Sequence, residues 1–415
     1  MSSTFRSLRH RNFRYFFAGQ VTSVAGTWTQ TIAQSWLVLD LSGNRPISVG
    51  IVTAMQFLPS LALGLWGGLL ADRFDKRRLL MACQASMAVV AAVLAVVTLA
   101  GWAELWIVYT AAFLTGLALV PDTPARQSFI SEMVPDEDLS NAVNLNSATF
   151  NAARIVGPAI AGGVLWAGGA GACFAVNALS YLAVIVALLR MRPAELRTHE
   201  RLARGAGQLR DGIRYMWATP DLRAHLAFAA VMGGLGMSFQ VVVPVLAKLT
   251  FGGTEATFSL LVAAQGVGAL LGVLRLASRR PTGQTVTRAG VAFGLALCGA
   301  ALVPSLVALV AVLVAVGWFM IVSLSASNAI VQLMSRAQYR GRVLALRGLF
   351  VLGGAPIGGV VSGWISQVAG PRWALAVAGS VTATVTLLLA PAMTGRRLPA
   401  PATIPTPAPA AGLVD

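Results

Sequence analysis

Long apolar runs dominate the chain, and polar residues fall between them rather than alternating within them. Leu79–Leu99 and Leu302–Leu324 are continuous stretches of this kind. A membrane-spanning helix needs about 20 such residues. A strand of a lipid-facing barrel would instead change character at every second position. The pattern predicts twelve helices, over residues 13–39, 47–71, 79–100, 105–125, 140–166, 172–190, 223–248, 256–277, 286–306, 308–332, 345–369 and 372–391. The expected fold class is therefore an all-α integral membrane protein. The first run differs from the others: Gln20, Thr27 and Gln34 recur every seven positions, with Ser23 and Gln30 flanking them. Residues seven apart drift only about 20° around a helix. Such a stripe either lines an aqueous cavity or hydrogen-bonds to neighbouring helices.

Composition removes the soluble alternative. Hydrophobic residues make up 56% of the chain and charged residues 11%, and mean hydropathy is +0.73. Soluble domains carry about 25% charged residues. A net charge of +16 would raise nucleic acid as a partner, but the placement of the charge argues against it. Of 31 Lys and Arg residues, 27 fall in the N-terminal arm, in every second connection and in the tail. The opposite connections hold only Arg45, Lys248 and Arg372, and Arg154 lies within a span. This bias marks the cytoplasmic side. It puts both termini and the long central connection in the cytoplasm. The expected organisation is an arm over 1–12, six spans over 13–190, a linker over 191–222, six spans over 223–391 and a Pro/Ala-rich disordered tail over 392–415. In the linker, Leu209, Ile213 and Met216 share one helical face among arginines. That pattern suits an interfacial helix, although its first part also suits a solvated linker.

Several chemistries are unsupported. Lys76 and Lys248, the two lysines, do not sit in a phosphate-binding loop, so no ATP site and no cofactor are expected. Cys83, Cys173 and Cys298 form no CxxC and fall in apolar runs, where they suit core packing. His10, His199 and His225 are scattered, so no metal site and no enzyme activity are expected. The N-terminus lacks the pattern of a cleaved signal peptide.

Two motifs carry more. The connection after the second span reads Gly68-Leu69-Leu70-Ala71-Asp72-Arg73-Phe74-Asp75-Lys76-Arg77-Arg78. Gly68 lets helices approach closely, Asp72 suits a helix N-terminus, and Arg73, Lys76, Arg77 and Arg78 offer charge pairs that break and re-form. Their other use is to anchor the loop at anionic lipid. The fifth run contains Gly157-Pro158, then Gly162-Gly163, and it aligns with Gly354–Gly359 at an offset of 197 residues. Gly26–Gln30 aligns with Gly236–Gln240 at an offset of 210. Duplicated halves around a central pathway are a transporter design. Arg154 lies about four turns into the fifth run. A guanidinium cannot shed its charge, so it must face the interior, either contacting a substrate or bracing helices. Asn151 shares its stripe.

The Gly68–Leu80 stretch resembles the signature of the major facilitator superfamily, departing at Asp75, where the family has glycine. Phe5–Gln20, Pro124–Gly163 and Leu209–Leu222 resemble its bacterial exporter branch of enterobactin-type and macrolide-type efflux proteins. Gly157, Pro158, Gly162 and Gly163 are similar to the glycine-proline motif of antiporters. The resemblance implies two pseudo-symmetric six-helix bundles, a midplane cavity lined by the first, fourth, seventh and tenth spans, and a gate latch at Asp72 and the basic run. Cavity residues would then include Gln20, Thr27, Gln30, Gln34, Asn151, Arg154, Gln240, Ser325 and Asn328, with aromatic surface from Trp28, Trp36, Phe113, Trp318 and Phe319. It further implies a monomer in the bacterial inner membrane, exporting a small, partly hydrophobic molecule in exchange for protons. Proton coupling requires a carboxylate, and Asp40 and Asp122 are the candidates. Asp136, Glu137 and Asp138 suit an N-cap instead. Uptake of a polar metabolite, or sensing without flux, stand as alternatives.

Overall fold

The computed structural model describes residues 3–197, 208–236, 239–277 and 281–394. A 3-10 turn at Ser3–Arg9 precedes α1 (Arg11–Leu41), α2 (Pro46–Arg73), α3 (Lys76–Leu99), α4 (Leu105–Met133) and α5 (Asp136–Leu189). After the linker come α6 (Gln208–Ala218), α7 (Pro220–Val231), α8 (Phe239–Val245), α9 (Glu255–Ala277), α10 (Gly283–Leu302), α11 (Leu306–Met334), α12 (Ala337–Val368) and α13 (Pro371–Thr394). Ten stretches among the described residues are long and apolar enough to cross a membrane. α1 is not among them, because its polar stripe lowers its hydropathy.

The helices are consistent with the twelve expected spans, although two of those are arranged in an unexpected way. α5 is two spans joined without a loop. Gly169, at φ 68° and ψ −170°, breaks the helix between them, in a region of backbone space that only glycine enters without strain. The seventh span is made in pieces, α7 and α8 each followed by a π-turn, at Met232–Gly236 and Leu246–Thr250. Helix ends also move. α4 continues to Met133 through Pro121 and Pro124, so Arg126 is helical rather than in a loop. α12 begins at Ala337, ahead of the expected start at 345, so Arg340 and Arg342 are helical as well. Without competing water, a membrane helix tolerates proline when its neighbours satisfy the freed carbonyls.

The molecule has two ends. Arginine-rich connections crowd the basic end, and glycine turns at Gly43, Gly101, Gly169, Gly252 and Gly370, each with positive φ, make the far end. The first six spans and the last six meet along α2–α12 and α5–α9. These seams are tightest toward the far end. A Cβ on Gly50 would lie 2.4 Å from the Gly359 carbonyl oxygen, and one on Gly363 would lie 3.0 Å from Ile47 Cα. One on Gly162 would lie 3.0 Å from Ser259 Cβ. Toward the basic end, a Cβ on Gly68 or Gly348 would meet nothing within 4 Å. The backbone-to-backbone contacts between the halves are thus concentrated toward the far end. The small residues that make these contacts are what lets helix backbones touch where lipid provides no hydrophobic drive between them.

Candidate functional site

Toward the far end, the halves line a cavity of about 50 Å3. Trp28, Thr31, Ile32 and Ser35 of α1 line it on one side, and Phe239, Gln240, Val243, Phe258, Val262, Gln265, Gly266, Ala269 and Met320 on the other. The lining is aromatic and aliphatic with four neutral polar side chains, and it has no ionisable group. Such a surface suits an apolar group oriented by a few hydrogen bonds.

Trp36 and Phe258 roof this space, their rings stacked at 6.4 Å between centroids and 18° between planes. Lys248, in the second π-turn, places its Nζ 5.0 Å from the centroid of the Trp36 ring and pairs with the Asp40 carboxylate. This pair links the two halves at the far end.

A second polar system fills the basic half of the first six spans. The Asp122 side chain is 2% exposed. It accepts a hydrogen bond of 3.0 Å from Gln84 Nε2 and faces Arg126 Nε at 3.4 Å. Arg126 reaches on to Gln20 Oε1 at 3.4 Å. Further along α1, Asn177 donates to Gln30 Oε1 at 2.7 Å. A buried carboxylate next to a guanidinium is stable only as a partnered pair, and α1, α3 and α4 all contribute partners here.

The last six spans carry their own cluster. Arg347 donates to Asn328 Oδ1 at 3.1 Å and to the Leu324 carbonyl at 2.9 Å. His225, fully buried, lies 3.3 Å from Ser327 Oγ.

At the basic end, Asp75 caps α3, accepting from the Arg78 amide at 2.8 Å. Lys76 pairs with Glu132 of α4, and Arg77 donates to the Leu188 carbonyl at 2.7 Å, at the close of α5. Asp72 is half-buried in the last turn of α2, and Arg73 beside it is exposed. The N-terminal turn docks on the start of α5, where Arg6, Arg9 and His10 surround the buried Asp138. The hydrogen bond from His10, then Arg9 and the charge of Arg6, lower the Asp138 carboxyl to about 2.

Comparison with known proteins decides the family. The transmembrane secretion effector family matches residues 2–405. The chain belongs to this family. Over 63% of its length it is 28% identical to the staphyloferrin A transporter of Staphylococcus aureus, covering 66% of that protein, just under two thirds. Over 84% of its length it is 28% identical to the multidrug efflux pump Tap of Mycolicibacterium fortuitum, covering 88% of it. In fold, it is similar to a bacterial homologue of the human lysosomal transporter Spinster in an inward-facing, unoccupied conformation. The TM-score is 0.77 at 15% identity, covering 96% of this chain and 100% of that one. The protein is thus a multi-pass membrane transporter of the major facilitator type.

The residues singled out in the sequence divide clearly. Gln240 lines the cavity, as do Trp28 and not the stripe beside it. Gln20 and Gln30, expected at the cavity, are instead buried against Arg126 and Asn177. Thr27 donates to its own helix at the Ser23 carbonyl, and Gln34 is buried outside the lining. The reason is angular. Trp28, Thr31, Ile32 and Ser35 lie on the adjacent face, and the glutamines turn toward α4 and α5, whose polar groups need partners. Asn328 is engaged by Arg347 rather than lining the cavity, and Ser325 is half-buried outside it. Trp318, Phe319 and Phe113 are outside the lining as well.

The glycine motif is a packing device in this structure. A Cβ on Gly157 would lie 2.4 Å from Trp28 Cβ, so α1 and α5 touch there, and Gly162 meets α9. Gly163 has open space. Asn151, Arg154 and Pro158 belong to α5, but their side chains lie outside the described residues, as does that of Leu209. His199, Met237, Ser238 and the tail beyond 394 also lie outside them.

Sequence reasoning passed over Arg126 and Arg347, taking them for loop charges. The available signals were the Asp122–Arg126 spacing of four, which stacks two side chains on one helix face, and the apolar flanks of Arg347.

Proposed function

We propose that the protein exports a small, largely apolar molecule from the cytoplasm across the bacterial inner membrane, in exchange for protons. The arginine bias puts the basic end in the cytoplasm, and the long connection between the sixth and seventh spans lets the two halves rock as units. The observation that carries the reading is the cavity. It is largely apolar, lined without ionisable groups and bounded by both halves. A lining without ionisable groups selects for shape and aromatic contact, as expected of a carrier for hydrophobic compounds. The names of the relatives, a siderophore transporter and a multidrug efflux pump, support the same class.

Asp122 is the proton carrier in this reading. Its carboxylate is buried, paired and removed from the cavity, so proton and substrate bind at separate places. Taking up a proton would release Arg126, whose contact with Gln20 ties α4 to α1. Asp40 is the weaker candidate, because it is half-exposed and already paired with Lys248. Asp72, Arg73, Lys76, Arg77 and Arg78 act as the cytoplasmic gate. In this structure Lys76 and Arg77 hold partners within the first half, ready for exchange when α12 approaches. The energy source is the proton gradient, not ATP.

The test is a bacterial host deleted for its own efflux pumps, challenged with a panel of hydrophobic antibiotics and siderophores, with and without this gene. Resistance or secretion that is lost in Asp122→Asn, together with alkalinisation of acid-loaded inside-out vesicles on substrate addition, is the expected result. Export that persists in Asp122→Asn would remove the proton assignment. Uptake in place of export would overturn the direction.

A further inference from the structure

We infer that the far end of the exit path is a recognition site for organic cations, formed by Trp36, Asp40 and Phe258, which Lys248 of the opposite half occupies as a tethered stand-in. The inference rests on the transport reading for its biological role, while the site itself rests on geometry. In Lys248 an alkylammonium lies on the face of an indole, 5.0 Å from the ring centroid, and against a carboxylate. Those two contacts are the ones that bind a substrate ammonium: the ring quadrupole attracts the cation and the carboxylate supplies a charge-assisted partner. Phe258 stacks behind Trp36 and fixes the plane of the indole, so the cation face is preorganised.

The site lies where a departing molecule must pass. Phe258 lines the cavity, as do Ile32, one turn below Trp36 on α1, and Ser35, next to Trp36 in sequence. Asp40 follows one turn further out, with 51% of its side chain exposed. Lys248 comes from a π-turn, a helix irregularity found frequently at functional sites. The turn carries the lysine across from the other half. When the far end opens, the halves separate and the lysine is withdrawn with its own half, leaving Trp36 and Asp40 facing the exit without their cation. A substrate bearing a protonated or quaternary amine would fill that place during release, and Lys248 would displace it on closure. A neutral substrate would have no such step.

Binding of benzyltriethylammonium to the purified full-length protein, with uncharged benzyl alcohol as the comparison ligand, tests this directly. Lys248→Met removes the stand-in and keeps the apolar stem. It should bind the cation about tenfold more tightly than the parent, the size of a desolvated cation–π contact, with benzyl alcohol unchanged. The gain should vanish in Lys248→Met/Asp40→Asn and in Lys248→Met/Trp36→Leu, and Lys248→Arg, which keeps a cation in place, should not show it. Equal gains for both ligands, no gain in Lys248→Met, or a gain that survives Asp40→Asn would overturn the inference. If Lys248→Met does not yield folded protein, Lys248→Gln carries the same comparison. Binding is read without transport, so a failure of export and a failure of this site are distinguishable.

Discussion

Replacing Gly50 with alanine should push the transporter toward the state open at the far end. Gly50 sits where α2 crosses α12. The added methyl would be 2.4 Å from the Gly359 carbonyl oxygen and 2.9 Å from the carbonyl carbon, and both are backbone atoms that cannot rotate away. Ordinary contact begins near 3.4 Å, so the helices must part by about 1 Å or the far end must open. Overpacking of this kind costs about 1–3 kcal/mol. The gain in helix propensity from alanine is the same in both states and cancels. A change of 1–3 kcal/mol shifts an equilibrium roughly 5- to 150-fold. The assay is distance measurement between spin labels on Asn44 and Ala369, both exposed at the far end, in a background with Cys83, Cys173 and Cys298 replaced. The longer-distance population should rise in Gly50→Ala and stay unchanged in Gly163→Ala, where a methyl meets nothing within 4 Å. An unchanged distribution in Gly50→Ala would refute the idea that this crossing has to part for the far end to open.

Three further outcomes follow from the same structure. Asp122→Asn should lower thermal stability in detergent by up to about 3–5 kcal/mol, because it removes the carboxylate that faces the buried Arg126 guanidinium; Asp122→Asn/Arg126→Gln should recover most of that stability without recovering proton exchange. Asp75→Ala removes an N-cap and should cost about 0.5–2 kcal/mol, whereas Asp75→Gly should cost only a few tenths, as read from melting curves of the two variants. The Asp138 carboxyl is held down to about 2, so its contribution to docking of the N-terminal turn is fully present above the ordinary carboxylate range. That contribution is lost as pH falls through about 2. Pepsin cleavage within residues 1–10 should therefore appear only near the bottom of a pH 4 to 2 series, and at higher pH in Asp138→Asn.

Twelve spans, their all-α class and the sidedness of the charge were legible because each is a property of contiguous sequence. An apolar run long enough to cross lipid has no other soluble use, and positive loops are counted residue by residue. The Gly68–Arg78 stretch and the two glycine motifs could be located for the same reason. Asp75 also carried its own explanation: where the superfamily signature has glycine, an aspartate caps α3 instead. The errors arose where a decision depended on a neighbour. Arg126 looked like a loop charge until α4 extended past it, and Arg347, counted with the basic connections although its expected span contained it, showed its role only through Asn328. Gln20 and Gln30 looked like cavity residues because a polar stripe announces that it must face something polar, without saying whether that is water or another helix.

Sequence alone determined what must be hidden from lipid and which end gathers the positive charge, because transfer free energy and charge bias act on each segment separately. Tertiary structure decided which face of α1 met the cavity, that Asp122 shared its burial with Gln84 and Arg126, and that Lys248 reached Asp40 and Trp36 across the interface. These choices depend on the rotation of each helix about its axis. Rotation is set by the fit of small residues against neighbouring backbones, such as Gly157 on Trp28 and Gly50 on Gly359, and a partner of that kind, more than a hundred residues away, leaves no mark in the local pattern.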